Sequence, residues 1–155
     1  MTKSIRGLLQ PKDVHLDVPA LCKRGVLETL ADQAATSFGL KSTAVLEKLI
    51  ERERLGSTGV GAGIAIPHAR VDVPAMTGLV LTLRKPIDFE AMDGAPVDLV
   101  FLLLAPSDDN ASHLKALSRV ARTFRVAGVA DAVREAADAE IAYNALLTES
   151  DQAAA

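Results

Sequence analysis

The sequence predicts a single α/β domain in which a mixed β-sheet is sandwiched by helices. The segment from Leu99 to Ala105 is an unbroken apolar run, which is typical of a strand covered on both faces. Apolar residues alternate with others between Gly78 and Arg84, as in a strand, whereas other segments carry them at helical spacing. At 155 residues, the chain has the usual length of one domain with a sizeable core.

In the first part of the chain, the pattern predicts one strand followed by two helices. Residues 14–18 alternate as a short strand. Apolar residues recur at helical spacing over 27–38, and Gly39 is placed to end that helix. Ser42 is placed to cap a second helix, which we expect to stop near Gly56.

The later elements follow from the same patterns and from turn signals. They are a strand over 64–66 closed by Pro67, a turn at Asp93-Gly94, a helix over 110–124, and short helices over 129–137 and 139–147. Asp138 is placed to cap the last helix. We expect the folded domain to span residues 1–147 and residues 148–155 to form a frayed tail.

Composition excludes several classes of function. With 49% apolar residues, 24% charged residues and a net charge of −3, the chain resembles neither a disordered protein nor a basic nucleic-acid-binding protein. It has no Trp, one Tyr and four Phe, so a platform for stacking bases is not expected. The single cysteine, Cys22, is predicted to be a core or semi-buried residue in a reducing compartment.

The sequence also predicts a cytoplasmic protein. The first residues lack the continuous apolar stretch of a secretory signal. The longest apolar run, over 99–105, is far shorter than the ~20 residues that a membrane-spanning helix needs.

The segment GSTGVGAGIAIPHAR, residues 56–70, places four glycines in eight residues shortly before a histidine. A P-loop requires Lys and Ser or Thr after its second glycine, but Ala62-Gly63 follow Gly61 here. A dinucleotide-binding fingerprint requires a third glycine three residues after Gly61 and a strand before the loop. Ile64 stands at that position, and the loop is predicted to run from a helix to a strand. Both nucleotide-binding interpretations fail.

What the segment offers is backbone geometry. Gly59, Gly61 and Gly63 permit positive φ angles and close approach of the main chain, and Pro67 stiffens the following stretch. That arrangement suits a well-aimed His68 with loop amides nearby for an anion. The alternative is a tight, hairpin-like connection followed by an ordinary surface histidine, and the spacing leaves both interpretations open.

Other candidate groups have ordinary explanations as well. His113 lies in the first turn of a predicted helix after the most buried strand, where anions are attracted, but ordinary histidines also occur there. Arg52 and Arg54 are most simply a solvated helix end, and His15 is most simply structural. The histidines lack the local spacing of a zinc site and no G-x-S-x-G motif is present, so neither a metal centre nor a serine hydrolase is expected.

Three segments together resemble enzyme IIA of the bacterial phosphoenolpyruvate-dependent phosphotransferase system, in its mannitol/fructose class. They are RERLGSTGVGAGIAIPHAR, DGAPVDLVFLLLAP and SHLKALSRVAR, and they are most similar to the stand-alone nitrogen-regulatory IIA proteins. The resemblance covers nearly the whole chain and is strongest over residues 52–122. It implies a type-2 IIA domain with the mannitol/fructose-type IIA fold, a mixed sheet sandwiched by helices. Ala62 stands where many relatives carry Asn, and Ala69 where they often carry Gly.

The resemblance also implies roles for individual residues. His68 would accept a phosphoryl group on its tele nitrogen, Nε2, from a phosphohistidine on an HPr-like carrier protein. Arg52 and His113 would complete the catalytic site. The segment around the glycines would bind the phosphate. Its expected phosphate-binding residues are Ser57, Thr58, Gly59, Gly61 and Gly63.

Two functions are compatible with this chemistry. The first is a phosphorylation-dependent regulator of the nitrogen or potassium type, whose targets would include potassium transporters or sensor kinases. The second is a fructose- or mannitol-type component that passes the phosphoryl group to a separate IIB protein for sugar uptake. In both, transfer between histidines needs no nucleotide, cofactor or metal, because it depends mainly on positioning and charge stabilisation.

Overall fold

A six-stranded mixed sheet forms the centre of the protein, as seen in a computed structural model that describes residues 5–108 and 110–154. Its strands are β1 (Val14–Val18), β2 (Gly59–Gly61), β3 (Ile64–Ala65), β4 (His68–Val71), β5 (Thr77–Ile87) and β6 (Val97–Pro106). The order is β1-β5-β6-β3-β2, and β4 also pairs with β6. The strand β6 runs antiparallel to β5 and parallel to β3 and β4, so the predicted mixed sheet is confirmed.

The strand β6 is central because its side chains are apolar on both faces. Every residue from Leu99 to Ala105 is fully buried. Val100, Leu102 and Leu104 enter the core on one face, whereas the alternating residues enter the core on the other. An unbroken apolar run is therefore the expected sequence for this strand, and the prediction made from it is confirmed.

Five helices cover the two faces of the sheet in the described part of the chain. They are α1 (Lys23–Phe38), α2 (Ser42–Arg54), α3 (Asn110–Arg125), α4 (Val129–Glu135) and α5 (Ala139–Ala154). The helices α1 and α2 pack on one face and the other three on the opposite face, as the predicted sandwich requires. Within the described residues, no helix combines the length and the apolar character needed to cross a membrane.

Of the predictions made for residues at helix ends, some are confirmed and others are wrong. Gly39 ends α1 with φ at 70°, and the Asp138 carboxylate accepts a hydrogen bond from the Ile141 amide at 2.9 Å, so both predictions are confirmed. Ser42 does not cap α2, because it is the first helical residue and its hydroxyl donates to Asp32 instead. Cys22 is exposed rather than buried, and its thiol caps α1 by accepting a hydrogen bond from the Gly25 amide at 3.4 Å.

Two further segments also differ from the prediction. The glycine-rich segment contains a short strand, β2, that the sequence pattern did not predict, and β2 pairs antiparallel with β3 in a hairpin. The last helix continues to Ala154 instead of ending at Leu147. Residues 1–4 of the predicted domain and residue 155 of the predicted tail lie outside the described residues. Fraying over 148–155 stays a prediction.

A glycine in the sheet offers a test of this packing. A Cβ added at Gly78 would lie 2.7 Å from Cε1 of the Phe101 ring, whereas one added at Gly7 would meet nothing within 4 Å. We expect Gly78→Ala to lower the free energy of unfolding by about 1–3 kcal/mol, because an overpacked core forces its neighbours to shift. Urea unfolding measures this change. Gly7→Ala is the matched control, and equal effects of the two substitutions would contradict the packing described.

Candidate functional site

His68 is the first residue of β4, and the backbone before it is clamped on both sides. The amide of Ile66 donates to the carbonyl of Thr58 at 2.9 Å. The carbonyl of Pro67 accepts from the amide of Leu103 at 3.0 Å, which ties this stretch to the central strand. Proline restricts its own φ and keeps the preceding residue extended. The imidazole therefore projects from a fixed main chain.

Two hydrogen bonds define the chemical state of the His68 ring. Nδ1 lies 3.0 Å from the carbonyl oxygen of Ile66, which can only accept a hydrogen bond. The Nε–H of Arg52 donates to Nε2 at 3.1 Å. Because a guanidinium has only donors, Nε2 has to carry a lone pair and the ring proton belongs on Nδ1. The site thus holds the neutral tautomer with a nucleophilic Nε2.

The surroundings also favour the neutral ring. Burial lowers the pKa of His68 below its ordinary value of 6.5, and the Arg52 charge lowers it further. The hydrogen bond to Ile66 and the carboxylate of Glu53 raise the pKa, but the lowering effects are larger. At neutral pH the imidazole is therefore uncharged and able to act as a nucleophile.

Arg52 and His113 both reach His68, as the resemblance implies. Nη1 of Arg52 donates to the carbonyl of Gly56 at 2.8 Å, which holds the guanidinium at the end of α2. Arg54 is exposed, so it fits the solvated helix end considered for both arginines. The His113 ring lies edge-on to that of His68, with centroids 5.4 Å apart and an angle of 75° between the planes. His113 is buried in the first part of α3.

His15 lies elsewhere, on the outer strand β1, where it is paired in register with Leu81. The three histidines of the sequence therefore do not form one cluster. No group of three or more His, Cys, Asp or Glu side chains suited to a metal ion occurs among the described residues.

The glycines shape a hairpin whose tip is anchored by Asp93 and Arg134. Gly61, Ala62 and Gly63 all have positive φ, at 99°, 57° and 79°. The amide of Ala62 donates to the Asp93 carboxylate at 3.0 Å, and its carbonyl accepts from Arg134 at 2.8 Å. Hydrogen bonds from the amides of Ala62 and Ala95 lower the pKa of Asp93. The hairpin-like connection considered from the sequence is therefore what the glycines form.

The polar groups of Ser57 and Thr58 are already engaged within the protein. The Ser57 hydroxyl donates to the carbonyl of Phe89 at 2.6 Å and accepts from the amide of Gly59 at 3.0 Å. The amide and the hydroxyl of Thr58 both donate to the carboxylate of Glu53. These contacts hold the segment before His68 in place. The predicted role of Ser57, Thr58 and the glycines in binding phosphate stays a prediction.

A cleft of about 670 Å³ opens beside His68 and Arg52. Ser57 and Thr58 line it, whereas Gly59, Gly61 and Gly63 are not among its described lining residues. Ile66 and the helix α3 also contribute to the lining. The α3 residues there are Leu117, Ser118, Ala121, Arg122 and Arg125. The rim carries the exposed apolar side chain of Val60.

Sequence reasoning missed three charged residues at this site. Glu53 holds Thr58 and forms an ion pair with Lys23 of α1 at 2.9 Å. Arg122 and Arg125 add two cations to the cleft that contains His68. The two arginines lie three residues apart, so a helical projection places them on one side of α3. That projection could have suggested a pair, but it could not have shown what faces them.

Comparison with known proteins agrees with this architecture. Residues 7–149 match the model of the family described as phosphoenolpyruvate-dependent sugar phosphotransferase system, EIIA 2. The chain belongs to this EIIA 2 family. Members are components of a phosphotransferase system, so the family supports a phosphocarrier role for this protein.

Individual relatives agree with that assignment. A nitrogen regulatory protein of Bradyrhizobium diazoefficiens is 45% identical over 143 residues, covering 92% of this chain and 94% of that protein. The crystal structure of the nitrogen regulatory protein IIA-Ntr from Neisseria meningitidis matches with a TM-score of 0.86 and 34% identity, covering 92% of this chain and 98% of that chain.

The fold is shared more widely. The mannitol enzyme IIA of Escherichia coli, solved in complex with phosphorylated mannitol enzyme IIB, matches with a TM-score of 0.75. The match covers 90% of this chain and 98% of that one at 16% identity, so it shows the fold alone. The predicted IIA fold is confirmed by these two structures.

The low pKa of His68 has a measurable consequence. We expect the ring to titrate below pH 6.5 in the folded protein, because burial and Arg52 disfavour its charged form. Arg52→Ala removes one of these causes and should raise the pKa, whereas Arg54→Ala should leave it unchanged. NMR titration of the ring resonances measures all three values. A ring that titrates above 6.5, or two variants with equal shifts, would contradict the described electrostatics.

Proposed function

We propose that the protein is a phosphocarrier that accepts a phosphoryl group from an HPr-like phosphohistidine protein onto Nε2 of His68. In the transfer, the lone pair of Nε2 forms the new N–P bond while the donor's N–P bond breaks. The bonding electron pair returns to the donor nitrogen. No proton has to move on His68, because Nδ1 keeps its hydrogen throughout. The observation that carries the proposal is the pair of hydrogen bonds that leaves the lone pair on Nε2.

Arg52 has two successive roles in this mechanism. Before transfer, its Nε–H occupies the lone pair of Nε2 at 3.1 Å, so the guanidinium has to turn aside as the phosphorus approaches. It then lies beside the equatorial oxygens, where its planar set of donors suits a phosphoryl group. Its second anchor, the carbonyl of Gly56, keeps it within reach.

The walls of the cleft provide further stabilisation of charge. Arg122 and Arg125 add positive potential where the donor's phosphate arrives. His113 lies in the first part of α3 with its ring against that of His68, where it can donate a hydrogen bond to the phosphate. Phosphoryl transfer depends mainly on such positioning and electrostatics, so this chain's own groups suffice without nucleotide or metal.

We propose regulation as the biological role of the phosphorylated and unphosphorylated forms. The support is the 45% identity to a nitrogen regulatory protein over nearly the whole chain. A phosphoryl group on His68 carries about −1.5 to −2 charges, which the proton kept on Nδ1 offsets in part, so the transfer adds net negative charge to a face with exposed apolar residues, including Leu55, Val60 and Leu114. A target that docks on that face would have to desolvate the new charge. We therefore expect cytoplasmic targets, such as potassium transporters or sensor kinases, to prefer the unphosphorylated form.

The second candidate function is sugar uptake through a separate IIB protein. The favouring observation is that the matched family is described as a sugar phosphotransferase system. Growth of a deletion strain separates the two. Defects in nitrogen or potassium responses support regulation, whereas loss of growth on fructose or mannitol alone supports the transport role.

The acceptor assignment is tested by phosphorylation in vitro. With phosphoenolpyruvate, enzyme I and an HPr-like carrier, we expect the protein to take up one acid-labile phosphate. His68→Ala should stay folded and take up none, because it lacks the nucleophile. His113→Ala should take up the label more slowly, because it only loses a hydrogen-bonding group. A label that persists in His68→Ala would refute the assignment.

The role of Arg52 is tested by rates. Loss of one preorganised charged donor costs a factor on the order of 10²–10³, so we expect Arg52→Ala to slow phosphorylation by about that amount. Arg54 is the matched control, since it is a neighbouring exposed arginine of the same helix. Arg54→Ala should retain nearly the full rate in a quench-flow assay. If the two variants were slowed equally, the arginines would act only by attracting the donor.

A further inference from the structure

A second cleft runs along α3, between this helix and the segment that leads into β5. Its volume is about 840 Å³. Lys115, Arg119 and Arg122 of α3 line one side of it, whereas Leu8 and Met76 contribute an apolar wall. No acidic side chain is among its described lining residues. The cleft therefore combines positive charge with apolar surface.

Arg119 is the most informative residue of this cleft. Arg119 is buried, and only 7% of the residue is exposed. Nη1 is enclosed by protein and has no hydrogen-bond partner. Among the described residues, no carboxylate forms an ion pair with Arg119. A buried guanidinium without a counter-charge is costly, so an anion that reaches the rest of the Arg119 guanidinium from the cleft would be stabilised there, although the enclosed Nη1 cannot itself contact it.

We propose that this cleft binds a small organic anion. Its carboxylate or phosphate group pairs with the guanidinium of Arg119, and its apolar part packs against Met76 and Leu8. The planar donors of an arginine fit both headgroups in a two-pronged arrangement. Lys115 and Arg122 are exposed cations at the same cleft and strengthen the attraction. A bare inorganic ion would contact the cations of the cleft but not its apolar wall.

The cleft adjoins the site that contains His68. Arg122 and Ser118 line both. A ligand that engages Arg122 in the second cleft withdraws positive charge from the first, which makes the organic anion an effector of phosphoryl transfer. This consequence rests on the proposed function, whereas binding in the cleft does not. A binding measurement on the unphosphorylated protein therefore tests the site independently.

The test is an NMR titration of the ¹⁵N-labelled full chain with simple probes. Hexanoate and hexyl phosphate carry both a headgroup and an apolar part, whereas acetate, inorganic phosphate and 1-hexanol each lack one of them. We expect at least one of the hexyl anions to give saturable shifts at the amides of Met76 and residues 115–119. The incomplete probes should bind about tenfold more weakly or less, because each omits one set of contacts. The anion that binds more tightly identifies the headgroup.

Variants establish which group binds the anion. Arg119→Met keeps much of the side-chain length without the charge, and should weaken binding about tenfold or more. Lys85→Met removes an exposed cation of β5 outside the cleft and should bind as the unmodified protein does. If Arg119→Met does not fold, Arg119→Lys keeps the charge but loses the planar fork, and should still bind more weakly. The proposal is overturned if neither hexyl anion saturates, if the shifts lie elsewhere, or if the folded Arg119 variant binds normally.

Discussion

The hydrogen bond from Nδ1 of His68 to the carbonyl of Ile66 is the constraint on which the site depends. At 3.0 Å it fixes the ring proton, and with it the lone pair on Nε2 that faces Arg52. The bond forms because the acceptor lies two residues earlier, on a main chain whose conformation is restrained. Pro67 stiffens this stretch, and the central strand β6 holds the proline carbonyl through Leu103. The nucleophile is thus oriented by the sheet itself.

The remaining elements bring charge to this fixed ring. The end of α2 supplies Arg52, and the carbonyl of Gly56 restrains it. On the other side, α3 brings His113 against the ring and adds Arg122 and Arg125 to the cleft. Both helices need a rigid sheet between them, which the fully buried β6 provides. Because burial and Arg52 keep the imidazole neutral, the same arrangement that gathers positive charge around His68 also leaves its Nε2 nucleophilic.

The sequence was sufficient to predict those elements whose physical cause lies within the element itself. The run over 99–105 predicts β6 because any strand covered on both faces needs apolar side chains at every position, and Gly39 ends its helix because of its own φ. The prediction fails where a residue bonds to a partner that is distant in the sequence. The hydroxyl of Ser42 prefers Asp32, ten residues back, to a cap, and the glycine hairpin is anchored by Asp93 and Arg134, which no local pattern connects with it. For the same reason, spacing alone left the grouping of His68 with Arg52 and His113 open, and only the family resemblance suggested it.

In the proposed mechanism, the fixed tautomer of His68 selects one ring nitrogen for phosphorylation. The most direct measurement is a ¹⁵N and ³¹P NMR spectrum of the unmodified protein, labelled at its histidine rings, after phosphorylation by an HPr-like carrier. We expect a phosphorus coupled to Nε2 of His68, with the proton retained on Nδ1. A phosphorus coupled to Nδ1 of His68, or to either nitrogen of His113, would contradict it.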